Sequence, residues 1–165
     1  MMEELKDAFI TFIRTQQNSL YRLAYSYTKN EQDALDVVQD SIQKGWLALE
    51  RLTNRDQLKS WFYTILVRTA IDLLRKQKRI ELIGDDSLLQ LSEQDTYCNL
   101  DLQQALHHLP LQLREVIMLR YFEDLKIEDV AHILAIPLST AKSRLYKALK
   151  LLKIELQTEE NPSNE

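Results

Sequence analysis

Three carboxylates, Asp33, Asp36 and Asp40, recur at spacings of three and four residues. At about 100° per residue they fall within about 60° of arc on one side of a helix. Glu31, Gln39 and Gln43 flank them. Further along, Trp61, Arg68, Arg75 and Arg79 share a single helical stripe that ends in the run Arg75-Lys76-Gln77-Lys78-Arg79. A third cluster, Lys142, Arg144, Lys147, Lys150 and Lys153, lies between Pro137 and Ile154 with no acid among them. The chemistry these sets can do is recognition. The acidic stripe is either a solvated face or a docking surface for a basic helix. Paired-carboxylate catalysis fits it poorly, because no histidine, metal-ligand cluster or glycine-rich loop accompanies it. Cations interleaved with an aromatic suit single-stranded nucleic acid, where the charge follows phosphates and the ring stacks on a base. The plainer alternative has Trp61 in the core and the basic end complementing the helix C-terminus.

The elements that must carry these side chains all read as helices. Two glycines and three prolines in 165 residues leave little material for tight β-turns. Residues 3–28 give a helix or a broken helix pair, with Leu5, Phe9, Phe12 and Ile13 on one stripe and Leu20, Leu23, Ala24 and Tyr27 on the next. Tyr21, Tyr25 and Tyr27 read as packing residues. A second helix over 31–50 has an apolar stripe of Leu35, Val38, Ile42, Trp46 and Leu49, with the acids opposite. The polar stretch 51–57 connects it to a long helix from Leu58 to Arg79, apolar around much of its girth and so packed between others. From Asn99 a second helical unit begins. One helix stops before Pro110, and Pro110 suits the first turn of the next.

Two short helices then follow. Ile127, Val130, Ala131 and Leu134 mark one face of the first, and Pro137 cannot continue it. Ser139 or Thr140 can cap the second, whose inner face would be Ala141, Leu145, Ala148, Leu149 and Leu152. This is the helix-turn-helix pattern, and Lys142, Ser143, Tyr146 and Lys147 could face base edges. An ordinary amphipathic helix with a solvated basic side is the competing reading, and the proline-broken pair favours DNA.

The formal charge of −4 hides this distribution. Residues 1–80 carry +3, residues 81–98 carry −5 with no base, and residues 99–165 carry −2, with four of their acids after residue 154. Residues 81–98 therefore read as an acidic linker between two small domains, 1–80 and 99–157, with a polar tail at 158–165. The architecture expected is all-α. Cys98 stands alone, so neither a disulfide nor a cysteine metal site is expected; His107, His108 and His132 lack ligand spacing, and no cofactor is expected. The first residues are charged and polar, unlike a signal peptide, and no apolar run approaches the roughly 20 residues that span a bilayer. A soluble cytoplasmic protein without membrane insertion is the expectation.

At this point the residues carry a family resemblance. The run Asp33-Ala34-Leu35-Asp36-Val37-Val38-Gln39-Asp40 through Trp46 resembles the core-polymerase-binding motif of bacterial sigma factors. Residues 61–75 are similar to their promoter-melting, −10 helix. Residues 109–149, opening Leu109-Pro110-Leu111-Gln112-Leu113-Arg114-Glu115-Val116, resemble the −35-reading domain. Order, spacing and size resemble the two-domain, extracytoplasmic-function group over about residues 5–156. The resemblance implies that Asp33, Asp36, Gln39 and Asp40 bind the clamp of bacterial core RNA polymerase and that the second domain docks on its flap. It implies −10 DNA contacts at Trp61, Arg68, Arg75 and Arg79, and −35 contacts at Ser139, Thr140, Lys142, Ser143, Arg144, Tyr146 and Lys147. It implies promoter DNA as a partner, an anti-sigma factor that can be membrane-anchored, a stress or envelope response, and no catalytic step. Many relatives have Asn where this chain has Arg68, and Gly-Thr-Val where it has Ser139-Thr140-Ala141. The alternative is a stand-alone helix-turn-helix regulator that acts without polymerase, with residues 31–50 as a dimer or effector surface.

Overall fold

The chain divides into two compact units, Met1–Ser92 and Glu93–Glu165. The structure, a computed structural model, describes the backbone of residues 2–83 and 100–160 and the side chains of residues 2–80 and 102–153. Every regular element among the described residues is helical.

In the first unit, helix α1 (Met2–Thr15) and helix α2 (Gln17–Thr28) are the broken pair that the sequence suggests. The break at Gln16 has neither glycine nor proline. The Thr15 hydroxyl instead donates back to the Thr11 and Phe12 carbonyls, at 2.9 and 3.2 Å, a bond that competes with regular continuation. Helix α2 ends on Lys29 in the left-handed region (φ 53°). Asn30 then caps helix α3 (Glu31–Ala48), its side-chain oxygen accepting from the Asp33 N–H at 2.9 Å. Two single 3-10 turns, Leu49–Arg51 and Arg55–Gln57, fill the polar connection, and Asn54 caps the second of them. Helix α4 (Leu58–Ile83) follows and packs on α2 and α3. It runs three residues into the segment expected as linker; the remainder of that segment, 84–98 with Cys98, lies outside the described residues.

The core of this unit is aromatic at its centre. Phe9 and Phe62 meet edge to face at 5.8 Å, Phe12 and Phe62 at 5.7 Å, and Phe12 and Tyr63 at 6.2 Å. Leu20, Leu23, Tyr27, Val37, Leu49, Leu66 and Val67 surround them. The expected stripe on α3 needs correction. Its buried face is Ala34, Val37, Val38, Ser41, Gly45 and Leu49, whereas Leu35 and Trp46 are exposed. Small side chains let α3 approach the Phe9 and Phe62 rings closely, and that closeness decides which face turns inward: a Cβ on Gly45 would stand 3.1 Å from the Phe9 ring and 3.2 Å from Phe62.

The second unit opens with helix α5 (Leu100–His108). Pro110 is the extended cap (ψ 148°) before helix α6 (Leu111–Ile117), one position earlier than the first-turn place expected for it. The buried Arg114 clasps this corner, Nη1 donating to the His107 and Leu109 carbonyls at 3.3 and 3.0 Å. Helix α6 widens into a π turn at Met118–Phe122 and ends at Asp124 in the left-handed region (φ 54°). Helix α7 (Ile127–Leu134) and helix α8 (Leu138–Glu160) follow.

Val130, Ala131 and Ile133 of α7 are buried, with Ile127 and Leu134 only half-buried. On α8, Ala141, Ala148 and Leu152 face inward, but Leu145 is half-buried and Leu149 exposed. The inner stripe is thus narrower than periodicity suggested. Small alanines bring α8 against α6 and α7 and leave the flanking leucines outside. Helix α8 runs on to Glu160, past the expected start of the polar tail at 158.

Candidate nucleic-acid interface

The joint between α7 and α8 follows from local rules. Ala135 takes the left-handed conformation (φ 55°, ψ 45°). Its N–H donates to the His132 carbonyl at 3.1 Å, and the Ile136 N–H to the Ala131 carbonyl at 3.0 Å. Those two bonds form a Schellman ending, normally the place of a glycine. The Ala141 N–H donates to the Pro137 carbonyl at 3.0 Å, which makes Pro137 the residue that opens α8. Ser139 and Thr140 therefore sit inside the first turn, and neither occupies the cap expected of it. The turn is short enough to present the start of α8 as a helix-turn-helix presents its second helix.

Of the predicted −35 residues, Ser139, Lys142, Ser143, Tyr146 and Lys147 are exposed, Tyr146 at 73%. Thr140 and Arg144 are half-buried at the flanks. The buried Ala141 and Ala148 hold the opposite side of the helix, so all seven lie on one projecting element. Tyr121 is also exposed, with the Arg120 guanidinium 5.2 Å from its ring centre.

In the first unit the −10 candidates share one unbroken helix. Trp61 is half-buried, and Arg68, Arg75 and Arg79 are exposed. At about 1.5 Å per residue, Trp61 to Arg79 spans about 27 Å. The first half of α4 is anchored by Leu58, Phe62, Tyr63, Leu66, Val67 and Ala70. From Ile71 to Ile80 no residue is buried, so the basic turns stand out from the core.

The acidic candidates on α3 are not equivalent. Asp36, Gln39 and Asp40 are exposed and Asp33 is half-buried. Asp33 Oδ2 accepts from Gln77 Nε2 of α4 at 2.8 Å. Asp36 accepts from Gln32 at 3.1 Å. Lys44 Nζ lies 3.1 Å from Asp40 and donates to Thr69 Oγ1 of α4 at 3.3 Å. Asp36, Asp40, Lys44 and Asp72 line an open groove of about 330 Å³ between α3 and α4.

Sequence reasoning missed the other flank of α3. Phe9, Ile10, Ile13, Arg14, Ile42 and Trp46 line an apolar groove of about 420 Å³ between α1 and α3. Trp46 is 43% exposed and Leu47 72%, and Lys6 Nζ lies 5.8 Å from the Trp46 ring centre. The signal was present as a run of small residues (Ala34, Ser41, Gly45) at helical spacing, a better marker of close packing than the large residues beside it. Around the helix, Leu35, Ile42 and Trp46 lie on one flank of the outward face and the carboxylates, with Leu47 among them, on the other, with Gln39 and Gln43 between. A partner helix crossing α3 would meet an apolar strip and then an acidic one.

Tyr21 and Tyr25 stack at 6.1 Å, consistent with packing. Burial, then Glu31, then Tyr25 raise the Tyr21 phenol above its ordinary value. Among the described residues no group of three or more His, Cys, Asp or Glu could hold a metal ion, and no helix is long and apolar enough to cross a membrane.

Comparison with known proteins aligns with this layout. Residues 12–80 match the family model of sigma-70 region 2, and residues 99–152 match that of sigma-70 region 4. The chain is 48% identical over 157 residues to the RNA polymerase sigma factor SigV of Bacillus subtilis, covering 94% of this chain and 95% of that protein. It is 26% identical to the ECF RNA polymerase sigma factor SigW of the same organism, covering 92% and 90%. Among solved structures, the sigma factor RpoE of Bartonella quintana, crystallised in complex with the anti-sigma factor NepR, superposes with a TM-score of 0.80 at 26% identity, covering 90% of this chain and 96% of that one.

Proposed function

Because this chain belongs to the sigma-70 family of RNA polymerase sigma factors, in its extracytoplasmic-function group, we propose that it acts entirely by binding, with no bond made or broken by its own residues. It is a transcription initiation factor that binds core RNA polymerase and directs it to specific promoters. The observation that carries this function is the presence, in one chain and in order, of both a region 2 and a region 4 match. A stand-alone regulator would need the second of these alone.

The residue-level reading follows from the surfaces. The outward face of α3, with Asp33, Asp36, Gln39 and Asp40 beside Ile42 and Trp46, docks on the polymerase clamp. Its apolar strip supplies buried area, and its carboxylates select a basic partner. The stripe Trp61, Arg68, Arg75 and Arg79 holds the opened −10 strand. The first turns of α8 read the −35 element through Ser143, Tyr146 and Lys147, with Ser139, Thr140, Lys142 and Arg144 on phosphates and flanks. Residues 1–80 and 99–157 serve as the two DNA-reading domains, 81–98 as the connector and 158–165 as a tail, and the second domain also docks on the flap. Each unit binds DNA weakly alone, and polymerase raises their combined affinity by effective concentration. The chain works in the cytoplasm. An anti-sigma protein, the class of partner with which RpoE was crystallised, would inhibit this chain if it covered the outward face of α3, an exposed apolar surface that polymerase also needs.

Run-off transcription with purified bacterial core polymerase, on genomic fragments including the region upstream of this gene, tests the reading. The expected result is discrete start sites with the wild type and their loss with Asp36→Arg plus Asp40→Arg. Specific duplex binding by the wild type alone, without directed initiation, would instead favour the regulator.

A further inference from the structure

We propose that Gln77 is a positioning residue for −10 DNA capture: its hydrogen bond to Asp33 ties the basic end of α4 to the polymerase-docking helix α3. The proposal rests on the assignment of α4 to −10 DNA and of α3 to polymerase. Gln77 and Asp33 are 44 residues apart in the chain, and their side chains meet at 2.8 Å. At about 100° per residue Gln77 lies about 180° around α4 from Arg68 and within about 20° of opposite Arg75 and Arg79. Holding Gln77 against α3 therefore turns the three arginines outward. Apolar packing helps little there, since nothing from Ile71 to Ile80 is buried and only Ile71, Leu73, Leu74 and Gln77 are half-buried. In that setting one directed, charge-assisted bond sets the rotation of the helix end.

The other end of the tether is fixed. The Asp33 N–H is held by the Asn30 side chain at 2.9 Å, in the capped first turn of α3. A carboxylate has two oxygens and room for several donors. Oδ2 serves Gln77, and Oδ1 can accept from a cation of the polymerase at the same time. One side chain then joins docking to DNA placement.

The test uses the full chain with core polymerase. Three quantities are measured: thermal stability of the free protein, affinity for core, and capture of a pre-melted bubble template built from a promoter mapped by run-off transcription, at saturating core. Gln77→Leu keeps the side-chain size and removes the donor. It is expected to reduce bubble capture roughly 3- to 10-fold, as loss of one hydrogen bond to a charged group at a partly exposed site implies, with core affinity unchanged and the melting temperature lower by about the few degrees that one such bond is worth. Asp33→Asn keeps an acceptor oxygen for Gln77 but removes the charge, so core affinity falls while capture at saturation falls less than with Gln77→Leu. Wild-type capture by Gln77→Leu overturns the proposal. So does a loss of stability and core affinity in proportion to capture, which would make the contact merely structural. Arg75→Ala separates the two levels: if it leaves capture unchanged, the assignment of α4 fails, and this proposal with it.

Discussion

Gly45 is the point where fold and the proposed docking surface meet, and its replacement gives a sharp quantitative expectation. A Cβ there would stand 3.1 Å from Phe9 Cε2 and Cζ and 3.2 Å from Phe62 Cδ2. Favourable carbon contacts begin near 3.5 Å, so both rings must yield by about 0.3–0.4 Å. Neither has slack: Phe9 is 2% exposed and Phe62 0%, and the two already touch edge to face. Against this, alanine improves helix propensity over glycine by about 1 kcal/mol. For Gly45→Ala the two effects nearly cancel, leaving stability within about 1 kcal/mol of wild type. Gly45→Leu adds three more carbons with no space to take them, for a net loss of about 1–3 kcal/mol. With a urea dependence of roughly 1–2 kcal/mol per molar, the midpoint should fall by about 0.5–3 M. Both tryptophans, Trp46 and Trp61, belong to the first unit, so tryptophan fluorescence follows that unit alone while far-ultraviolet circular dichroism follows both. The fluorescence transition should move and the second unit's should not. Core-polymerase affinity should fall only as far as the first unit unfolds. A Gly45→Leu protein as stable as the wild type would refute the argument that close approach selects the inward face of α3.

The second unit offers complementary tests. Arg114→Met removes the donor to two carbonyls at the α5–α6 corner and should cost about 2–4 kcal/mol, seen by circular dichroism with the fluorescence transition unmoved. Ala135→Gly relieves a side chain held at φ 55° and should stabilise the helix-turn-helix by about 0.5–1 kcal/mol without changing −35 binding; a loss of stability would contradict the Schellman reading. At Tyr21, burial and then Glu31 and Tyr25 raise the phenol in the folded state. The native protein therefore holds that proton more tightly than the unfolded chain. The stability this gives is complete below about pH 10 and is lost as pH rises through the folded value. Tyr21→Phe should lose less stability than wild type in denaturant titrations carried above about pH 10, and an identical decline in both would refute the assignment.

Much of the architecture is local, and local features are legible in a sequence. The α1–α2 break near residue 16, the stop before Pro110 and the α7–α8 turn at Pro137 depend on backbone rules within a few residues of each site. The stripes on α4 and α8 follow from 3.6 residues per turn, and the solvent-facing positions of Arg68, Arg75, Lys142 and Tyr146 agree with that arithmetic. Caps were less legible. Pro137 rather than Ser139 opens α8, because the backbone left by the Schellman ending fixes where the next helix can begin.

The amino-acid sequence determined by itself that the chain is helical, that it has two units, and where carboxylates, arginines and lysines are grouped along it. Tertiary structure decided which of two apolar flanks on α3 is buried. Leu35, Ile42 and Trp46 outweigh Ala34, Ser41 and Gly45 in hydrophobicity, yet the small side chains go inward, and at Gly45 the Phe9 and Phe62 rings leave no room for a larger one. Burial free energy depends on shape at contact as well as on area, and shape belongs to the neighbours. The pairing of Asp33 with Gln77 is likewise invisible along the chain, since packing of α3 on α4 alone brings a carboxylate and an amide 44 residues apart within hydrogen-bonding distance.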